Sequence, residues 1–186
     1  LLLFDIGITN ASVRIFAKRE NNANEFNAIK SSFCVLACLS LLLLVLAFPA
    51  GYGLGHLALT ADDGSIDGAL LFAGCFCYAG LVLSTRPFAA YLYSRHRFVF
   101  INLSEAVFNL LKLIILVALS SDNSLSLAMT FFTIFGCQLV QHAMLASYAL
   151  IVDKKIFAAS FRAPLHKSAI SHLFSQSFAS ATVSFG

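Results

Sequence analysis

The sequence predicts an all-α membrane protein, a polytopic helix bundle of five spans and the start of a sixth. Three observations carry that reading. Of 186 residues, 59% are hydrophobic and 11% charged, with a mean hydropathy of +0.85, against roughly a quarter charged in ordinary soluble domains. The apolar residues fall in successive runs separated by polar connections. The lysines and arginines of those connections occur in every second one. A soluble core of this size would need a charged coat, and the charges here are too few and too clustered to supply it.

One transmembrane bundle is expected over residues 1–186. Its first span covers about 1–17 and carries Asp5, Asn10 and Arg14, followed by a polar connection over 18–32. The second, about 33–50, closes at Pro49-Ala50-Gly51, a combination that ends helices. A loop from Gly51 to Gly68 then holds five glycines (51, 53, 55, 64, 68) and Asp62, Asp63 and Asp67. The third span, about 69–93, contains Arg86-Pro87, where proline removes a backbone donor and should kink the helix. Arg95-His96-Arg97 turns into the fourth span, about 98–119, and a short turn around Asp122 leads to the fifth, about 125–152, which is uncharged but holds Gln138, Gln141 and His142. After a basic connection over 153–167, serines recur at helical spacing from Ser168, and 168–186 is expected to be a truncated sixth helix suited to close contacts. The chain opens on Leu1 without a methionine and stops inside a Ser/Phe-rich run, so it is expected to be a piece of a longer protein.

Lys18, Arg19 and Lys30, then Arg95 and Arg97, then Lys154, Lys155, Arg162 and Lys167 occupy the first, third and fifth connections, whereas the second and fourth carry only aspartates. Consecutive spans obeying the positive-inside rule produce this alternation. Connections 18–32, 94–97 and 153–167 are therefore placed on the cytoplasmic side and residue 1 toward the outside. Basic clusters so short and so separated by spans make a poor nucleic-acid surface.

Asn102, Glu105, Asn109 and Lys112 stand three, four and three residues apart in the fourth span and form one polar stripe on an otherwise apolar helix. Glu and Lys near the bilayer centre each cost roughly 3 kcal/mol, and each Leu, Ile, Val or Phe returns roughly 0.3–0.6 kcal/mol. The stripe should thus line a protein interior or a watery cavity, since intramembrane charges mark substrate or ion pathways. Counting from the basic turn, Arg86 lies nine residues before Arg95 and Glu105 eight after Arg97, which puts both about 12 Å in from the cytoplasmic face. They are expected to face each other, directly or through water. Asp5 and Lys112 form a second pair by depth. Three of these charges have a plainer alternative: Arg14 lies near enough to the surface to snorkel, and Arg86 with Glu105 would serve as well to fix one helix against another; Lys112, deep and long-stemmed, is harder to dismiss.

Nothing suggests enzyme chemistry or a cofactor. The five histidines are scattered over loops and separate helices with no pair at metal-ligand spacing, and Cys34, Cys38, Cys75, Cys77 and Cys137 all lie in apolar segments, where small polarizable side chains pack well. Asp62-Asp63 reads as a solvated acidic pair in the outer loop.

Phe4-Asp5-Ile6-Gly7-Ile8-Thr9-Asn10-Ala11, continuing to Arg14-Ile15-Phe16-Ala17-Lys18, resembles the second helix of the polysaccharide and O-antigen flippases of the multidrug, oligosaccharidyl-lipid and polysaccharide exporter superfamily. Arg86-Pro87-Phe88 with Leu92, Arg95, Arg97-Phe98 and Asn102 resembles that family's link between helices four and five. The resemblance implies a fragment of the N-terminal lobe of a two-lobed protein in the bacterial cytoplasmic (inner) membrane, with lipid around its spans. It would move a polyprenyl-diphosphate-linked oligosaccharide across that membrane by alternating access. Arg14, Arg86 and Lys112 would then attract the diphosphate, while Asn10, Asn102, Asn109 and Gln138 would hydrogen-bond sugar hydroxyls. Asp5 or Glu105 would couple the cycle to H⁺ or Na⁺. The rivals are a drug or cation antiporter of the same superfamily, a membrane-embedded glycosyl transferase or polymerase acting on lipid-linked sugars, and a bundle whose charges only specify helix register.

Overall fold

The computed structural model describes residues 8–17, 22–58, 65–121, 127–165 and 167–185. Within them the chain forms helices α1 (Ile8–Ala17), α2 (Asn22–Ala58), α3 (Ser65–Ser94), α4 (Phe98–Ser121), α5 (Leu127–Val152), α6 (Lys154–Arg162) and α7 (Lys167–Phe185), with no strand among the described residues. Four of these contain stretches long and apolar enough to cross a membrane: Phe26–Gly51 in α2, Leu70–Ser94 in α3, Phe98–Ser121 and Met129–Val152. The all-helical, multi-pass character expected from composition is therefore present. The first and last expected spans correspond to α1 and α7, and neither is among the four. Ten residues of α1 reach about 15 Å, half of a hydrocarbon core of about 30 Å.

Two boundaries depart from the sequence reading. The stop expected at Pro49-Ala50-Gly51 does not occur, because α2 continues through Pro49 to Ala58. A proline inside a helix removes one hydrogen bond and crowds the carbonyl four residues back, at about 3 kcal/mol. Opening the helix there would instead leave several backbone groups unsatisfied in hydrocarbon, at several kcal/mol each. Gly51 also holds the continuation by contact: a Cβ built on it would lie 2.5 Å from the backbone nitrogen of Ala73, so α2 and α3 touch backbone to backbone. At its other end α2 begins at Asn22, inside the stretch read as a connection. The basic connection 153–167 likewise contains a helix, α6.

The α2–α3 pair is the most extensive contact in the bundle. Small residues allow it: Gly80 sits where a Cβ would come 3.0 Å from the carbonyl oxygen of Ser40. On one side of the pair lie α1 and α7. There the hydroxyls of Ser12 and Ser32, both fully buried, meet at 2.7 Å, and Ser12 also donates to the carbonyl of Ile8. On the other side α3 packs against α5, and α4 leans outward on α5 while barely touching α3. Only Ile101 and Ser104 of α4 are buried.

The basic connections that loop charge assigned to one side do meet at one end of the bundle. An aromatic knot forms there. Phe157 of α6 packs edge-on against Tyr91 with ring centroids 4.8 Å apart and also meets Phe33 and Phe88. Lys30 donates to the carbonyls of Phe161, in the last turn of α6, and of Ala163 just after it, where a cation is favoured by the helix dipole. The Arg95 guanidinium lies over the Tyr91 ring, 5.0 Å from its centroid. The turn between α3 and α4 is closed by His96, whose φ of 56° is the left-handed conformation.

Candidate functional site

The polar groups of the spans divide between two places. The first is the seam of α3 and α5, which run parallel, so that residues on α3 meet residues some sixty positions later at the same depth. Gly74 is met by the Phe131 ring, Tyr78 stacks on Phe135 at 4.1 Å, and the Tyr78 hydroxyl donates to Oε1 of Gln138. One turn deeper along α5 is His142, and two turns deeper along α3 is Arg86. Both are partly enclosed, and the Nε of Arg86 and Nδ1 of His142 are shut away from solvent without a hydrogen-bond partner among the described residues. Gln141, beside them, is 91% buried, at 9% exposure.

The second place is the stripe on α4. Asn102, Glu105 and Asn109 are exposed and Lys112 is half-buried. Because α4 makes its contact through Ile101 and Ser104, the stripe lies beside that seam on the open surface of this chain.

Arg86 and Glu105 are not joined by an ion pair among the described residues. Equal depth places two residues in one layer and leaves open which neighbours they meet, and α4 turns toward α5 rather than back onto α3. Of the residues singled out from sequence, Gln138 accepts the Tyr78 hydroxyl, while Arg86 lies two turns further along α3 and His142 one turn further along α5. Asn102, Glu105, Asn109 and Lys112 share one helix but stand apart from that cluster. Arg14 and Asn10 are exposed on α1. Asp5, and with it the Asp5–Lys112 pairing, lies outside the described residues.

Tyr78 is the member of the cluster that sequence reading missed. Its signal was a phenol at the depth of Gln138 when the third and fifth spans are counted from their like-sided ends. No group of three or more His, Cys, Asp or Glu among the described residues is placed to hold a metal ion. The five cysteines are free thiols.

Fold and site define a multi-pass helical membrane protein with a polar, cationic seam between two of its spans. No family model matches the chain, and neither does any curated protein or any solved structure.

Proposed function

We propose that this chain is part of a transporter that moves an anionic, lipid-linked substrate, a polyprenyl-diphosphate-linked oligosaccharide, across a bacterial cytoplasmic membrane by alternating access. The observation that supports the reading is Arg86: a guanidinium within the depth of a span, with an enclosed Nε that no group among the described residues satisfies and no carboxylate among them paired to it. A fixed cation in a low-dielectric seam draws an anion strongly, because Coulomb energies there are several times those in water. A guanidinium also presents a planar fork that matches two phosphate oxygens.

In this reading Arg86 and Lys112 attract the diphosphate and Arg14 contributes near the cytoplasmic rim. Asn10, Asn102, Asn109 and Gln138 offer amides to sugar hydroxyls, and Glu105, with Asp5, provides the carboxylate for H⁺ or Na⁺ coupling. The four apolar helices, extended by α1 and α7, would make five spans and part of a sixth, one lobe of a two-lobed carrier. The open polar face of α4 would then border the passage between lobes, where water or substrate satisfies it.

The test is export of lipid-linked glycan by cells whose only copy of the protein carries Arg86→Gln, with Arg86→Lys beside it. Loss with Gln and partial activity with Lys is the expected outcome. Full export by the Gln variant would remove the proposal.

A further inference from the structure

The short helix α6 carries chemistry that substrate transport does not use. Lys154, Lys155 and Arg162 are exposed along it, Lys167 follows at the start of α7, and the helix contains no acid. At this end of the bundle Lys30 and Arg95 are engaged with protein groups: Lys30 on the α6 carbonyls, Arg95 on Tyr91. Lys154, Lys155 and Arg162 have no ion-pair partner among the described residues.

The helix docks on α2 and α3 through its aromatic side chains. Phe157 and Phe161 both meet the Phe33 ring, with centroids at 6.1 and 5.3 Å, and the carbonyl of Ala163 is still in reach of Lys30. The stretch from Phe157 to Ala163 thus packs on the turn of α2 from Lys30 to Phe33. α6 follows directly on α5, which closes at Val152, and its Phe157 meets Tyr91 near the end of α3 at Ser94. Phe157 and Ser160 point inward and are fully buried, while Phe161 and Leu165 remain 51% and 47% exposed.

A short amphipathic helix with one apolar face docked, bulky apolar side chains left out beside it, and cations along the outward face has the composition of helices that lie in the head-group layer. We propose that α6 is a binding surface for anionic phospholipid head groups of the leaflet on the basic side. Lys154, Lys155 and Arg162 hold the phosphates, and Phe161 and Leu165 dip into the acyl boundary. Depth selects this occupant over a soluble one, because a span end is where phosphates lie. Each cation near a surface of this kind adds to the attraction, within a Debye length of the charge. Nothing in this surface depends on what the protein transports.

The experiment is hydrogen exchange of the whole chain in lipid nanodiscs, either entirely zwitterionic or about one-third phosphatidylglycerol. Amides of 154–163 should exchange at least about tenfold more slowly in the anionic discs at low salt, with most of that difference lost near 1 M salt. The triple variant Lys154→Gln, Lys155→Gln, Arg162→Gln should lose the lipid dependence while its span amides and its unfolding midpoint in zwitterionic discs match the parent. Equal exchange of 154–163 in both discs would overturn the proposal. So would equivalent protection in zwitterionic discs on adding inorganic phosphate or an acidic polypeptide, which would assign the cations to a soluble anion. A triple variant that keeps the lipid dependence would overturn the assignment of these three residues.

Discussion

The Tyr78 hydroxyl on α3 donates to the side-chain oxygen of Gln138 on α5, and this bond fixes the rotation of the two helices about each other. The Tyr78 and Phe135 rings stack alongside it, so the phenol is held by its face and its tip at once. Interhelical hydrogen bonds in membranes average about 0.6 kcal/mol and reach about 1.7. Tyr78→Phe and Gln138→Leu should each destabilise by less than about 2 kcal/mol. The double variant should be no worse than the worse single one, since removing both partners leaves no orphaned group. Unfolding equilibria in detergent or bicelles measure the cycle, and full additivity would show that the pair does not couple.

His96 turns the chain between α3 and α4 with φ at 56°, a conformation that costs an ordinary L-residue roughly 1–2 kcal/mol and glycine nothing comparable. His96→Gly should leave stability unchanged or raise it, and His96→Val should lower it by at least about 1 kcal/mol, because a β-branched side chain tolerates this region least. Thermal midpoints of the two variants are the check. A valine variant as stable as the glycine one would mean that the turn relaxes to another conformation.

Much of this arrangement was legible before any coordinates. Scarce charge and long apolar runs indicated membrane helices, and the alternation of loop charge brought Lys30, Arg95 and α6 to one end, where they are found in contact through the Phe157 knot. What failed was local punctuation. Pro49 and Gly51 carry the residue signature of a helix stop, but in an apolar bundle unsatisfied backbone is dearer than one missing hydrogen bond, and Gly51 serves contact with Ala73 instead. Depth counting paired Arg86 with Glu105, and no ion pair joins them among the described residues, because rise per residue gives height and says nothing of azimuth. The docking of α4 on α5, which decides the azimuth, rests on small and aromatic surfaces such as Ser104 and the Phe100–Tyr148 stack at 3.9 Å, which no spacing rule reveals.

The backbone contact at Gly51 gives a sharp test of the long α2. A side chain there would have to displace the nitrogen and Cα of Ala73, at 2.5 and 2.6 Å from the new Cβ, and backbone cannot swing aside as a side chain can. Gly51→Val should destabilise by several kcal/mol through overpacking, whereas Gly53→Ala, whose Cβ meets nothing within 4 Å among the described residues, should be neutral or slightly stabilising through helix propensity. If both variants behave alike in unfolding experiments, α2 and α3 do not approach at Gly51.

Phe157 is the residue through which α6 is fastened to the bundle. It is 1% exposed and meets Tyr91, Phe88 and Phe33, so Phe157→Ala would remove a buried ring at about 3–5 kcal/mol if the site could not collapse. The loss falls on a peripheral element, and the bundle has a second way to respond: α6 can detach while the spans stay packed. The measured effect should therefore be local. Hydrogen exchange at 154–163 should rise toward that of an unstructured segment, and proteolysis should begin near Lys154, Lys155 and Arg162, while the unfolding midpoint of the spans shifts by much less than the full cost of the cavity. Phe157→Leu, which keeps most of the buried area, should fall between parent and alanine in both readouts. A midpoint shift as large as the full cavity cost, with exchange rising equally in α2 and α3, would mean that α6 is part of the cooperative core rather than a helix docked upon it.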